Sequence, residues 1–256
     1  MKRIAIVGGA GRMGQTMAQG LGAESDFTVT ALVDSLAPRE LHGAVHAPNL
    51  EGLDPSNIDV VVEFSVPESV VSSAKWCAEH SVDLIIGVTG LSREQREQVE
   101  RASTATSVVM ATNFSLGAVL AERFAVAAAP YFERVEIIEL HHDHKIDAPS
   151  GTSLSCARAI ADARARAGRA PLVDPTQRHT IEGARGADGG DGVMVHSVRL
   201  TGLVAHQEIL FGGPGEGLTI RHDSFDRTSF VQGVALTIRS MNASSGLMVG
   251  IDSFVR

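Results

Sequence analysis

Two adjacent histidines and a lysine lie in one short polar segment, which covers residues 139–152. The segment reads Glu-Leu-His-His-Asp-His-Lys-Ile-Asp-Ala-Pro-Ser-Gly-Thr and follows an apolar, strand-like run. Near neutral pH a histidine can donate or accept a proton, which makes His141 and His142 candidates for acid–base chemistry. The ammonium group of Lys145 can hold a carboxylate. These residues therefore favour a site that binds an anionic substrate and protonates it, with one histidine of the pair and Lys145 as catalytic candidates.

The end of the same segment predicts a second place for an anion. Ser150, Gly151 and Thr152 begin a helix-like stretch, where free backbone amides and hydroxyls can hold a carboxylate. Two separate anion sites predict a small dicarboxylate substrate. Because neighbouring residues of a strand point in opposite directions, His141 and His142 are expected to do different jobs.

Three simpler interpretations of this segment compete with a catalytic one. His141, His142 and His144 could bind a metal, but their spacing lacks the helical repeat of common zinc sites, and we predict none. The histidines could also be structural or solvated. Ser150 or Thr152 could serve only as a helix cap, a role that is compatible with ligand binding.

A glycine-rich loop at the start of the chain predicts a dinucleotide site. The loop follows the strand-like run Arg3–Gly8, opens a helix and has the spacing GxxGxxG. Such glycines permit a tight turn, close approach of the pyrophosphate and close packing of helix on strand. The alternative is a glycine-rich turn without a nucleotide. The candidate cofactor-binding residues of this loop are Gly8, Gly11, Arg12, Met13 and Gly14.

Asp34 ends the next strand-like run, 20 residues after Gly14. A carboxylate at this spacing can accept hydrogen bonds from the adenine ribose hydroxyls. It would repel a ribose phosphate and so favours NADH, although Arg12 or Arg39 could compensate. The predicted cofactor is therefore NADH, NADPH or both, with NADH used at least as well.

Loops after the later strands of this region are expected to contact the nicotinamide, because ligands bind at the carboxyl ends of parallel strands. An ordinary strand-to-helix turn is the alternative for each. The residues assigned to this end are Phe64, Gly87, Thr89, Asn113 and Phe114.

Alternating apolar strands and helices in the first half predict an α/β fold with a Rossmann-type parallel sheet. After this region the pattern predicts a second α+β domain with a mixed or antiparallel sheet. We expect a dinucleotide-binding domain over residues 1–112, completed by about 229–256, and a substrate-binding and oligomerisation domain over 113–228. The predicted details are a helix from Ser115 to Ala129 with Phe124 on its apolar face, a flexible loop at Gly183–Gly192, and antiparallel strands at Val193–Leu200, Ala205–Phe211 and Gly217–Arg221.

Composition excludes several other classes of protein. The net charge of −8 and the lack of a basic face argue against nucleic acid as a partner. The apolar stretch around Ala118–Ala129 is interrupted by Glu122 and Arg123 and is too short to span a membrane. Two unpaired cysteines, Cys77 and Cys156, are typical of a cytoplasmic protein and are expected in the core.

Three further residues have weaker signals. Arg185 could reach a substrate from its glycine-rich loop or could simply be solvated. His206 and His222 lie in strands of alternating polarity, where surface or subunit-interface roles are expected rather than catalysis.

The chain resembles the dihydrodipicolinate reductases (4-hydroxy-tetrahydrodipicolinate reductases) of bacterial lysine and diaminopimelate synthesis along its whole length. The resemblance rests on the glycine loop at residues 7–14, Gly87–Gly90, Asn113–Gly117 and above all the segment from His141 to Thr152. Residues 185–188 and 202–208 resemble the actinobacterial branch. Glu63 and Thr112 depart from the family pattern, which more often has aspartate and proline there.

This resemblance implies reduction of 4-hydroxy-tetrahydrodipicolinate by a homotetramer, with His141 as the acid–base residue. It also implies that His142 and Lys145 bind the substrate and that Gly151 and Thr152 hold a carboxylate. Two alternatives remain at this stage: another Rossmann reductase of a small dicarboxylate, and a non-catalytic NAD(P)-sensing protein, which would need the glycine loop but not the histidine–lysine segment.

Overall fold

The computed structural model describes residues 1–241 and 244–255. The predicted closing segment 229–256 thus includes Asn242, Ala243 and Arg256, which lie outside the described residues. The strands are β1 (Lys2–Val7), β2 (Phe27–Val33), β3 (Val45–Ala47), β4 (Val60–Glu63), β5 (Asp83–Ile86), β6 (Ser107–Met110), β7 (Arg134–His141), β8 (Ala187–Asp188), β9 (Met194–Arg199), β10 (Ala205–Gly213), β11 (Glu216–Ser224) and β12 (Gly246–Val249). The α-helices are α1 (Arg12–Gly22), α2 (Pro67–His80), α3 (Arg93–Ala102), α4 (Leu116–Ala128), α5 (Gly151–Arg166) and α6 (Val231–Ser240).

The chain divides into two compact units. The first comprises Met1–Leu116 and Arg227–Arg256, and the second comprises Gly117–Asp226. The assignment of cofactor binding to one unit and substrate binding to the other stays a prediction.

The first unit is built on a seven-stranded sheet in the order β12-β6-β5-β4-β1-β2-β3, and all of its neighbouring strands run parallel. Its central strands are buried along their whole apolar length, as in Val60–Val62 and Leu84–Ile86. Continuous apolar strands of this kind need cover on both faces. The predicted α/β class with a Rossmann-type sheet is confirmed. The short strand β3 was not predicted.

Glycine makes the turn from β1 to α1 possible. Gly8 has a φ of +83°, in the left-handed region that disfavours a side chain. A methyl group at Gly14 would collide with the carbonyl oxygen of Gly8. The tight turn therefore places the start of α1 directly against the carboxyl end of β1.

The second unit is built on a five-stranded mixed sheet in the order β11-β10-β7-β9-β8. One face packs on α4 and α5 through Ile137, Ile160 and Ile209, which are fully buried. Strands β10 and β11 are antiparallel, as predicted, but β9 runs parallel to β7. Strand β9 runs opposite to β10, as predicted, but β7 lies between them. Helix α5 and the long segment after it form the crossover that lets β9 pair in parallel with β7.

Two further predictions for the second unit need correction. Phe124 is 57% exposed, and α4 instead buries Val119, Ala121 and Ala125. Because α4 is apolar on most of its circumference, its periodicity did not identify the buried side. The glycine-rich segment Gly183–Gly192 is not wholly a loop, because it contains β8, which pairs with β9.

No helix among the described residues combines the length and apolar character that a membrane crossing requires.

Candidate active site

The turn between β1 and α1 has the shape and free donors that a pyrophosphate needs. Gly11 caps α1 with an extended backbone and no side-chain hydrogen bond, which leaves the first amides of the helix without a capping group. The amide of Gly11 donates to the carbonyl of Gly8 at 3.0 Å, closing the turn. A helix start of this kind binds phosphate through its amides and its dipole. The glycine loop therefore fits a dinucleotide.

Asp34 lies just beyond β2, beside the glycine turn. Its two carboxylate oxygens accept the amides of Ala10 and Leu36, each at 3.0 Å. A carboxylate oxygen has more than one acceptor site, so these bonds leave capacity for ribose hydroxyls. Asp34, Gly8 and Gly11 line one cavity of about 490 Å³. This first cavity suits the adenosine part of a dinucleotide.

A second cavity, of about 360 Å³, lies at the ends of β4, β5 and β6 in the same unit. Phe64 and Phe114 meet there edge to face, with ring centroids 5.8 Å apart. The Phe64 ring also packs so closely on Gly87 that any side chain at Gly87 would collide with it. The flat, largely apolar wall suits a nicotinamide ring.

The predicted cofactor residues are thus mostly brought together. The first cavity is lined by Gly8, Gly11, Asp34 and Phe64, and the second by Met13, Phe64, Gly87, Thr89 and Phe114. Among the described residues, Arg12, Gly14 and Asn113 line neither cavity. Gly14 acts through close packing, and the side chain of Asn113 accepts the amide of Ser115 at 2.8 Å.

In the second unit, the predicted acid–base histidine is held by a carboxylate two residues earlier. Nδ1 of His141 lies 2.5 Å from a carboxylate oxygen of Glu139. The two side chains share a face of β7 because strand residues alternate. When Nδ1–H donates to the carboxylate, the other ring nitrogen, Nε2, is the one that can accept or release a proton. No hydrogen bond to Nε2 from the described part of the chain is seen.

Glu139 is 0% exposed and is surrounded by donors. Arg199, beside His141 on β9, donates one nitrogen to each carboxylate oxygen at 2.8 Å. The amide of Ser150 donates to the same carboxylate at 3.2 Å. Burial by itself would raise the pKa of Glu139, but the hydrogen bonds from His141 and Arg199 outweigh it and lower the pKa to about 2. The group is therefore a carboxylate at neutral pH.

Lys145 is positioned by the turn that follows β7. Its amide donates to the carbonyl of His142 at 3.2 Å, and its ammonium contacts both oxygens of Asp147 at 2.8 Å. The carbonyl of Asp147 in turn accepts from Arg199 at 2.7 Å. Asp147 is exposed, so Lys145 is paired with a carboxylate that a ligand could replace.

The start of α5 follows at once. Ser150 is buried, and its hydroxyl accepts the amide of Ser153 as a helix cap. Because its own amide is also bound to Glu139, the polar groups of Ser150 are used within the protein. Gly151 and Thr152 are the first helical residues, whose amides have no partner inside the helix. They are better placed than Ser150 to receive a carboxylate.

The other histidines of the segment point elsewhere. His142 is exposed, and its ring lies 6.2 Å from that of His144. The side chain of His144 is 90% exposed beside Asp143. In residues 1–241 and 244–255 no group of histidine, cysteine, aspartate and glutamate side chains could hold a metal ion.

Two residues of this arrangement were missed in the sequence. Glu139 had a local signal, because it lies two residues before His141 and so shares its face of the strand. Arg199 had none, since its position depends on the register between β7 and β9, which are separated by α5 and a long connection.

Two residues with weaker sequence signals pair with carboxylates of the same chain. The guanidinium of Arg185 pairs with Glu136 and Asp174 and its side chain is 29% exposed, so a contact with substrate stays a prediction. His206 is not a surface residue of this chain: it is 8% exposed, and its Nδ1 lies 2.7 Å from Asp223.

Comparison with known proteins gives matches along the whole chain. Residues 2–114 match the family described as "Dihydrodipicolinate reductase, N-terminus", and residues 117–255 match "Dihydrodipicolinate reductase, C-terminus". A 4-hydroxy-tetrahydrodipicolinate reductase from Mycolicibacterium gilvum is 46% identical, over 99% of this chain and 98% of that protein. One from Mycolicibacterium smegmatis is 47% identical over 98% and 97%. A solved dipicolinate-bound dihydrodipicolinate reductase from Paenisporosarcina sp. TG-14 is 37% identical, with a TM-score of 0.86 and 99% of both chains covered.

The depressed pKa of Glu139 predicts a pH-dependent contribution to stability. The contribution is complete above the ordinary pKa near 4.5 and is lost as pH falls toward about 2, because the native carboxylate must then be protonated. The Glu139→Gln variant should be less stable than the wild type at neutral pH. The difference in the free energy of unfolding should shrink below about pH 4.5. Urea titrations at a series of pH values measure this, and a difference independent of pH would contradict it.

Proposed function

The chain belongs to the dihydrodipicolinate reductase family, and on that premise we propose how its residues divide the work of the reaction. It is an oxidoreductase that reduces 4-hydroxy-tetrahydrodipicolinate with NADH or NADPH, in lysine and diaminopimelate biosynthesis. The predicted family, activity and cofactor class are thereby confirmed. The two alternatives, a different Rossmann reductase and a non-catalytic sensor, are set aside.

The reaction needs a hydride, a proton and the loss of one hydroxyl group as water. The reduced nicotinamide supplies the hydride to the unsaturated, nitrogen-containing ring. The ring then has an enamine-like carbon that must be protonated. A general acid near that carbon, and groups that hold the two carboxylates, are therefore required of the protein.

His141 is the proposed acid. The observation that carries this role is the hydrogen bond from its Nδ1 to the buried carboxylate of Glu139. That bond fixes the ring and leaves Nε2 to deliver a proton. A neighbouring imidazole, that of His142, is exposed and has no such carboxylate partner in the described chain, which supports a binding role for it.

Lys145 is proposed to bind one carboxylate of the substrate and to support the reaction there. Its present partner, Asp147, is exposed, so an incoming carboxylate can compete for the ammonium group. Gly151 and Thr152, at the start of α5, are proposed to hold the other carboxylate through their amides. Ser150 belongs to this set as the residue that caps the helix and links it to Glu139.

The cofactor-binding role is proposed for the loop and cavity residues of the first unit. The glycine turn would take the pyrophosphate, Asp34 the adenine ribose, and the second cavity the nicotinamide. The full proposed set is Gly8, Gly11, Arg12, Met13, Gly14, Asp34, Phe64, Gly87, Thr89, Asn113 and Phe114.

The protein is also proposed to be a homotetramer in the cytoplasm. On the sheet of the second unit, the face opposite α4 and α5 carries incompletely buried apolar residues, which are Ile138, Leu140, Met194, Val198 and Leu210. Charged and polar residues, such as Glu136, His196 and Glu208, lie between them. A mixed face of this kind, with half-buried apolar side chains, supports burial against another copy of the chain. The free, buried thiols of Cys77 and Cys156 are consistent with a reducing compartment.

Replacing the proposed acid tests the central assignment. His141→Gln should lower kcat by roughly 10²–10⁴-fold, the usual contribution of general acid catalysis, while NADH still binds. Steady-state rates are followed by NADH absorbance with freshly made substrate. His144→Gln is the matched control, because its 90% exposed side chain should be dispensable. An unchanged kcat for His141→Gln would overturn the assignment.

Asp34 should set the cofactor preference. The wild-type kcat/KM for NADH should equal or exceed that for NADPH, since the carboxylate repels a ribose phosphate. Asp34→Asn keeps the size but removes the charge, so the NADPH-to-NADH ratio of kcat/KM should rise. A strong preference of the wild type for NADPH, or a ratio unaffected by the substitution, would count against this role.

Sedimentation tests the tetramer. The wild type should sediment as a species of about 108 kDa, four times the chain mass of 26.9 kDa. Leu210→Asp should produce smaller species, because it places a charge on the proposed interface. Phe124→Asp, on the exposed side of α4, should leave the distribution unchanged. A monomeric wild type would refute the proposal.

A further inference from the structure

Glu63 is a carboxyl group in the middle of an apolar layer. It ends β4, which lies between β1 and β5, and its side chain is 0% exposed. The core of the same unit contains Val61, Val70 and Cys77 nearby in the chain. Burial raises the pKa of Glu63, although hydrogen bonds from serines act in the opposite direction.

The hydrogen-bond partners of Glu63 in the described part of the chain are serines, not cations. One carboxyl oxygen accepts both the amide of Ser65, at 2.9 Å, and the Ser65 hydroxyl. The other accepts the hydroxyl of Ser73 at 2.5 Å. A buried carboxyl group without a positive partner costs stability that an apolar residue of similar size would not. Buried titratable groups that cost stability in this way are often found at functional sites.

Ser65 lies at the boundary between the two cavities of the first unit. Of the residues that line the two cavities of the first unit, Phe64 and Ser65 are the pair that line both. The same pair touches the glycine turn, since a side chain at Gly8 would lie 2.8 Å from the Phe64 carbonyl oxygen and 3.0 Å from Cα of Ser65. The Phe64 ring meanwhile packs on Gly87 at the second cavity. This dipeptide is the wall that connects the two cavities.

We propose that Glu63 is a positioning residue for the dinucleotide. It accepts two hydrogen bonds from Ser65, which are called the clasp below, and these bonds hold the Phe64–Ser65 wall in place between the two parts of the cofactor site. Glu63 does not touch the cofactor and acts only through Ser65. The inference rests on the proposed assignment of the first cavity to the adenosine part and the second to the nicotinamide.

The clasp matters most for a ligand that spans the wall. Both the backbone amide and the side-chain hydroxyl of Ser65 donate hydrogen bonds to Glu63, which restricts the backbone and the side chain of Ser65 together. Without them the wall gains freedom, and a ligand that needs both cavities aligned must restrict it again on binding. A ligand confined to the first cavity, which is also shaped by Asp34 and the glycine turn, needs less of that alignment.

The test compares two substitutions with two probes in the full-length protein. Glu63→Leu removes the clasp, whereas Glu63→Gln keeps its size and can still accept from Ser65. Binding of NADH and of 5′-AMP is measured by titration without substrate. Glu63→Leu should weaken NADH binding about tenfold, as the loss of buried hydrogen bonds implies, and raise the KM for NADH more than it lowers kcat. Its 5′-AMP affinity should change less than threefold, and Glu63→Gln should stay near the wild type.

Thermal unfolding separates positioning from simple support of the fold. Glu63→Leu removes a buried carboxyl group but also leaves the buried Ser73 hydroxyl without its acceptor, so its unfolding temperature is measured first. Well below that temperature, the folded variant should still bind NADH less well than the wild type. Glu68→Gln, an exposed change of the same type on α2, is the matched control and should leave NADH binding unchanged. If Glu63→Leu does not fold, Ser65→Ala removes one of the two clasp bonds and should weaken NADH binding about threefold.

NADH affinity unchanged in a folded Glu63→Leu, or in Ser65→Ala if that variant must be used, overturns the inference. An equal loss of NADH and 5′-AMP affinity overturns it as well, because it would indicate a general loosening of the unit. A wild-type protein that fails to bind NADH would instead contradict the proposed cofactor site.

Discussion

The carboxylate of Glu139 ties together the elements of the second unit that carry the proposed chemistry. It accepts hydrogen bonds from His141 on its own strand, from Arg199 on β9 and from the amide of Ser150 at the start of α5. These bonds let an ionised carboxyl group stay buried, because removing it from water would otherwise be costly. The orientation of His141, the docking of α5 and the position of Arg199 therefore depend on one another.

The same carboxylate explains how one short segment can hold several functional groups in different directions. His141 turns inward to Glu139, whereas Lys145 and the first residues of α5 stay accessible at the turns that follow. Arg199 adds a link, since it also donates to the carbonyl of Asp147, the partner of Lys145. In the first unit, glycine has the corresponding role, because only the absence of side chains at Gly8 and Gly14 lets the helix start approach the strand end.

Local spacing in the sequence was enough to locate much of this arrangement. The glycine loop, Asp34 and the histidine–lysine segment each have a signal within about twenty residues, and the parallel sheet follows from continuous apolar strands. What could not be predicted depends on contacts between distant residues. Arg199 reaches Glu139 only through the parallel register of β7 and β9, and no local pattern indicated that β9 pairs with β7. The burial of His206 and the exposure of Phe124 depend on packing that periodicity alone does not specify.

The central claim is tested most directly by determining which ring nitrogen of neutral His141 carries the proton. Nitrogen-15 NMR of histidine-labelled protein distinguishes the two neutral tautomers, and a His141→Gln sample identifies the resonances of His141. The hydrogen bond to Glu139 predicts that the neutral ring carries its proton on Nδ1, with Nε2 unprotonated. A neutral ring protonated on Nε2 would contradict the account, because Nδ1 would then have no proton to donate to the carboxylate.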